Sequence, residues 1–215
     1  MPRRLKSKRP SRRPTSRPDA VLFVGLTGGI GSGKSEALAA FERLGVPTLS
    51  TDAVVHDLLV APEVRDLLHD RWGDQVLTGG EVDRAAVATI VFDRPEELAW
   101  LEGTLFPRVG ERMIAWRKGL QGQHDVAVVE VPLLFEANIE GAFDTTVAVL
   151  ADEALREERA AARGHEGVEG RTGRQLSQDE KAERADHVIR NDGTISDLEA
   201  AVAAVLAELR GRVNK

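Results

Sequence analysis

Residues 28–35 read Gly-Gly-Ile-Gly-Ser-Gly-Lys-Ser and match the spacing G-x-x-x-x-G-K-[ST]. So much glycine makes a poor packing element. It does let the backbone turn its N–H groups inward, forming a nest for an anion at the positive end of a following helix. The main chain of Gly29, Ile30, Gly31, Ser32, Gly33, Lys34, Ser35 and Glu36 would hold a polyphosphate in this way. Lys34 adds a charge that can reach the β- and γ-phosphates, and Ser35 offers a hydroxyl to a Mg²⁺ ion carried by ATP. The competing reading is a glycine-rich strand-to-helix turn that holds nothing.

Phosphoryl transfer asks a protein to align donor and acceptor and to spread charge, with a carboxylate near the attacking hydroxyl. Asp52 follows a short β-type run, so it should lie on the sheet edge that carries the glycine loop. There it could accept or orient the hydroxyl proton. The same "STD" also reads as a helix cap, and the residues alone leave both readings open. Arg156, Arg159 and Arg163 share one helical face. Guanidinium suits a phosphate, being permanently charged with planar donors, although a charged helix face is ordinarily just solvated.

These residues need a scaffold. The runs 21–26, 46–50, 125–135 and 144–150, with a short one in "ADHVIRNDG", read as strands separated by helices. That alternation implies an α/β fold, a parallel sheet with helices on both faces. Helix 35–45 is expected to place Ala37, Leu38, Phe41 and Leu44 on one face, with Gly45 as its stop. Residues 62–118 read as mostly helical, with no convincing strand among them. They interrupt the alternation where a substrate-covering insert would sit.

"GLTGGIGSGKS", "STDAVVHDLL", "VVEVPLLFE" and "ADHVIRNDG", in that order and spacing, resemble the dephospho-coenzyme A kinase family over about residues 21–210. The resemblance implies transfer of the ATP γ-phosphoryl group to the ribose 3′-hydroxyl of dephospho-CoA, the last step in making coenzyme A. It implies a P-loop kinase-type five-stranded parallel sheet, with a core of 21–60 and 122–211, a helical acceptor-binding insert of about 61–121 and an Arg-rich lid of about 156–182. It implies catalytic roles for Lys34, Asp52, Arg159 and Arg163, and ATP contacts from Arg171, Asn191 and Gly193. The acceptor pocket would take Asp52, His56, Pro132, Leu133, Leu134 and Glu136. Glu130 would stand beside that pocket or hold a magnesium-bound water from the strand end. The three apolar residues read equally as core, and His56 as a helix-surface histidine. Three positions depart from the family: Ser50 stands where an Asp is usual, Phe106 where a His precedes Pro107, and Glu36 where Thr is frequent.

Composition narrows the alternatives. There is no cysteine, hence no disulfide, thiolate nucleophile or Cys-based zinc site, and the five histidines lack metalloprotease spacing. Residues 1–18 carry eight Lys or Arg and no acid, so the net charge of −6 leaves −14 on the remainder. That balance argues against a nucleic-acid surface on the globular part. Residues 1–20, rich in proline and nearly free of apolar side chains, read as a disordered basic tail. No apolar run reaches the ~20 residues of a membrane span. The expectation is a cytoplasmic enzyme, monomeric or a small homo-oligomer, using ATP and Mg²⁺. The rivals are another P-loop small-molecule kinase and an ATP-responsive nucleic-acid-binding protein that uses the tail.

Overall fold

The computed structural model describes residues 20–92, 94–162 and 175–213. In chain order its elements are β1 (Leu22–Gly28), α1 (Lys34–Arg43), β2 (Thr48–Ser50), α2 (Thr51–Val60), α3 (Pro62–Trp72), β3 (Leu77–Thr78), β4 (Glu81–Val82), α4 (Arg84–Phe92), α5 (Pro95–Gly119), β5 (Val126–Glu130), β6 (Thr145–Leu150), α6 (Glu153–Ala162), α7 (Gln178–Arg184), β7 (His187–Arg190) and α8 (Ile195–Val213). Residues 1–19 of the basic tail and residues 163–174 of the proposed lid lie outside the described residues.

Five strands form one parallel sheet in the order β2-β5-β1-β6-β7. Side chains alternate across a strand, and here the alternation divides two cores. Phe23 of β1, with Ala127 and Val129 of β5, faces a cluster built with Val64, Leu68, Leu105 and Met113 of the helices between β2 and β5. Leu22, Val24 and Leu26, with Val126 and Val128, face Phe41 of α1 and Leu198, Val202 and Leu206 of α8. Fully burying one such side chain contributes about 1.5–3 kcal/mol. The inserted helices therefore cover one sheet face, while α1 and α8 cover the other.

Three local expectations are corrected. Leu44 is 41% exposed and follows the end of α1, whose buried residues are Ala37, Ala40 and Phe41. The chain turns at Gly45 before a further helical turn could bury Leu44. A small antiparallel hairpin, β3–β4, interrupts the helical insert. Its turn residues Gly79 and Gly80 both adopt positive φ, which suits a tight hairpin turn. The third long strand ends at Glu130 rather than continuing to Phe135. Pro132 has no N–H to give to a ladder, and Leu134 and Phe135 enter the core from turns, both fully buried.

Parallel strands place all their carboxyl ends on one edge. Gly28, Ser50, Glu130, Leu150 and Arg190 close the five strands there, and in such sheets that edge is where ligands bind.

Candidate active site

The glycine loop leaves β1 at that edge and enters α1 at Lys34. Gly33 is the helix N-cap with φ 88°, a conformation costly for other residues. It has no side chain to cap the helix, so the first-turn N–H groups have no capping oxygen and are available to an anion. Gly29 O accepts Ser32 N at 3.2 Å and Lys34 Nζ at 3.0 Å. Ser32 is fully buried, and its Oγ has no hydrogen-bond partner. Glu36 turns away from the loop to pair with Arg43 at 2.8 Å.

Beside the loop stands a small charged group. Glu130, at the end of β5, is 6% exposed, and burial raises its carboxyl above the ordinary range. Ser35 Oγ donates to Glu130 Oε1 at 3.4 Å, and Thr51 Oγ1 donates to Glu130 O at 3.0 Å. Ser50, where the resemblance leads one to expect Asp, pairs in register with Glu130, and its hydroxyl favours the ionised carboxylate against the effect of burial. A serine here relieves a buried carboxylate that an aspartate would repel. Burial lowers the Lys34 ammonium below its ordinary value, against the pull of Glu130. Asp52, exposed in the first turn of α2, is close enough for its charge to act on both Lys34 and Glu130.

The adjoining Ser35 hydroxyl and Glu130 carboxylate supply hard oxygen ligands suited to Mg²⁺. Among the described residues no group of three or more His, Asp or Glu could hold a metal. That sparse set fits an ion held chiefly by a polyphosphate.

From α6, Arg156 lies against the loop, with Nε donating to Ile30 O at 2.9 Å. Its guanidinium approaches Gly29 and its main chain Gly31. The sequence places Arg156 on the same helical face as Arg159 without marking it out; which of the three arginines meets the loop depends on how α6 docks. Arg159 Nη1 donates to Asn191 O at 3.0 Å. Arg163 and Arg171 lie outside the described residues. Asn191, 7% exposed after β7, sends its side-chain amide to Ser32 O at 2.9 Å. Gly193 stands in the turn before α8, close against Asp197.

Of the residues expected in the acceptor pocket, Leu133 and Glu136 line a cleft of about 350 Å³ with Glu102, Phe106 and Ala137. Phe106 is 52% exposed on α5. Leu134 is not in this cleft; it is fully buried beside Gly25, and the core reading holds for it. Pro132 gives its carbonyl to Thr27 Oγ1 at 3.2 Å and to Lys181 Nζ at 3.1 Å. Lys181, absent from the sequence reading, is fully buried and pairs with Glu136 at 2.8 Å. His56 is exposed on α2 and meets Arg84, 2.8 Å from Nδ1. Nothing in the local sequence of either Lys181 or Arg84 announces its partner.

The family model for dephospho-CoA kinase matches residues 22–197. A dephospho-CoA kinase of Deinococcus radiodurans is 39% identical over 199 residues, covering 90% of this chain and 95% of its own. One of Thermus thermophilus is 37% identical over 193 residues, 88% of this chain and 93% of its own. A Thermus thermophilus crystal structure superposes with a TM-score of 0.77 at 35% identity, over 88% of this chain and 98% of its own. The dephospho-CoA kinase of Campylobacter jejuni, 22% identical, shares the fold with a TM-score of 0.61 over 87% of this chain and 96% of its own.

Proposed function

The chain belongs to the dephospho-CoA kinase family, and from that premise we propose how its own residues move a phosphoryl group from ATP to the ribose 3′-hydroxyl of dephospho-CoA. The reaction yields ADP and coenzyme A and is the last step of coenzyme A synthesis. The observation that carries the residue assignment is the meeting of Lys34, Ser35, Glu130 and Asp52 at the carboxyl edge of the sheet, beside an uncapped helix terminus.

The loop N–H groups and Lys34 bind and orient the ATP phosphates. Arg156 holds the loop through Ile30 O, and Asn191 holds it through Ser32 O. Asp52 accepts the proton of the 3′-hydroxyl as that oxygen bonds to the γ-phosphorus and the bond from that phosphorus to the β,γ-bridging oxygen breaks, leaving ADP. Such a base contributes roughly 10²–10⁴ in rate. Ser35 and Glu130 would hold Mg²⁺, which neutralises charge on the phosphates when bound. Arg159 orients Asn191 through its carbonyl, while Arg163 and Arg171 are assigned to the phosphates by resemblance alone. Leu133 and Glu136 form the wall toward the acceptor, and the Pro132 carbonyl ties that segment to Lys181. No helix among the described residues is long and apolar enough to cross a membrane. We assign the reaction to the cytoplasm, with the protein acting as a monomer or small homo-oligomer.

Purified protein incubated with Mg·ATP and dephospho-CoA, with AMP and shikimate as parallel acceptors, tests the assignment by mass spectrometry. One phosphoryl group gained by dephospho-CoA alone supports it. Gain by another acceptor instead would leave the phosphate loop intact and remove the assigned acceptor. Deleting residues 1–20 should leave turnover unchanged; a protein acting through a nucleic-acid-binding tail would lose its affinity.

A further inference from the structure

One turn beyond Asp52 on α2 stands His56, and Arg84 of α4 reaches it, with Nη1 2.8 Å from Nδ1. Guanidinium has no lone pair to give. Nδ1 of His56 therefore accepts, and Nε2 remains a second donor beside the free N–H groups of Arg84. Both side chains belong to exposed residues. Arg43, Arg71, Arg117 and Arg184 each end on a carboxylate. Arg84 ends on an imidazole, and among the described residues no carboxylate neutralises it. The neighbouring acid is committed elsewhere: Asp83 accepts Ala85 N at 2.9 Å, Ala86 N at 3.1 Å and Thr78 Oγ1 at 3.1 Å. These bonds also occupy the start of α4, so the helix terminus fixes Arg84 but is not itself the binding group.

The position relative to Asp52 identifies the anion. Asp52 and His56 lie four residues apart on one helical face. That spacing is about 6 Å of axial rise, comparable with the span of a ribose from its 3′-oxygen to a phosphate on its 5′-oxygen. We propose that His56 and Arg84 bind the 5′-diphosphate of the acceptor nucleotide while its 3′-hydroxyl lies at Asp52. The proposal rests on the kinase reading above and adds what that reading lacks, a residue pair that discriminates acceptors by their 5′-diphosphate. In a chain of net charge −6, a dianionic group needs such a local unneutralised cation to approach.

Steady-state kinetics of wild type, Arg84→Gln, Arg84→Lys and the surface control Arg65→Gln test it, with adenosine as a competitor that lacks the diphosphate. Arg84→Gln should raise KM for dephospho-CoA about 10- to 100-fold, the loss of a charged hydrogen bond. Its KM for ATP and its Ki for adenosine should not move, and kcat should fall far less than KM rises. Arg84→Lys should recover part of the loss, the salt dependence of KM should flatten in Arg84→Gln, and Arg65→Gln should behave as wild type. An unchanged KM for dephospho-CoA in Arg84→Gln overturns the proposal. So does an equal loss for adenosine or ATP, which would mean that Arg84 only ties α4 to α2. Wild type that phosphorylates dephospho-CoA with Arg84→Gln unaffected overturns this inference alone. Wild type that leaves dephospho-CoA unmodified overturns the kinase reading and this inference together.

Discussion

The side-chain amide of Asn191 donates to the main-chain carbonyl of Ser32 at 2.9 Å, across 159 residues of sequence. The bond runs from the turn after β7 to the middle of the glycine loop, and Asn191 also fills the space beside Gly33 that any larger residue would need. Its own main chain is fixed from both sides: Asn191 N donates to Leu150 O at 2.8 Å, and Asn191 O accepts Arg159 Nη1 at 3.0 Å. The loop is therefore shaped by a residue from the far end of the chain.

Replacing Asn191 should act on ATP and not on the acceptor. A buried hydrogen bond of this kind contributes about 1–2 kcal/mol, so Asn191→Ala should raise KM for ATP about 5- to 30-fold. Asn191→Asp, which keeps the size but sets a carboxylate against the Ser32 carbonyl, should be worse. KM for dephospho-CoA should stay near wild type in both. A variant that melts earlier yet keeps its ATP KM would reduce Asn191 to a packing residue.

Asp52 is exposed but near enough to influence Lys34 and Glu130. In its proposed role as proton acceptor it should matter in the transition state and little in the ground state. Asp52→Asn should lower kcat by roughly 10²–10⁴ with ATP affinity nearly unchanged. Titration of a nucleotide analogue alongside single-turnover rates separates the two. Near-normal turnover in Asp52→Asn would take this residue out of the chemistry.

Glu130 gives a pH signature. Its folded carboxyl is raised above the ordinary 4.5 by burial. A raised folded value means that the folded protein binds this proton more tightly than the unfolded chain. Stability from Glu130 is then fully present below pH 4.5 and is lost as pH rises through the folded value. Wild type should gain stability relative to Glu130→Gln as pH falls from about 7.5 to 4.5. Denaturant unfolding at several pH values measures this, and a difference flat across that window would show that the carboxyl is not perturbed.

How much of this was readable in advance depended on whether the cause was local. All five sheet strands were legible, because β-branched runs such as Val126–Glu130 carry their signal within themselves. So was the loop, whose glycines, Lys34 and Ser35 sit within eight positions. The hairpin at Leu77–Val82 was missed because two-residue strands leave no period to detect. The run after Glu130 looked like more strand because apolar content does not distinguish a ladder from a buried turn, although Pro132 was a usable warning. Arg84 and Lys181 were invisible for another reason. Each acquires its partner by folding, His56 from a different helix and Glu136 from a different segment, and no spacing along the chain encodes either meeting. The resemblance implies a nucleotide contact for Asn191, but no spacing along the chain encodes the bond of its side chain to Ser32 O.

Lys181 offers the sharpest test of how the proposed acceptor wall is held. It is fully buried, and its ammonium bonds Glu136 Oε1 at 2.8 Å and Pro132 O at 3.1 Å, while the same Glu136 oxygen accepts Leu176 N at 2.9 Å. One buried pair thus ties α7 to the segment that lines the cleft. Lys181→Met strands the Glu136 carboxylate, and breaking a buried pair from one side costs about 3–5 kcal/mol. In a chain of this length that lowers Tm by about 6–20 °C. The double variant Lys181→Met, Glu136→Gln should recover most of the loss. It removes both charges, an amide oxygen can still accept Leu176 N, and Thr27 Oγ1 still donates to Pro132 O. The double variant should nevertheless keep a raised KM for dephospho-CoA, because Glu136 is part of the cleft wall as well as of the pair. Calorimetric melting and acceptor kinetics on the same samples separate the two roles. Recovery of both Tm and KM would assign Glu136 to stability alone, and a single Lys181→Met variant melting within about 2 °C of wild type would show that the pair does not hold the wall.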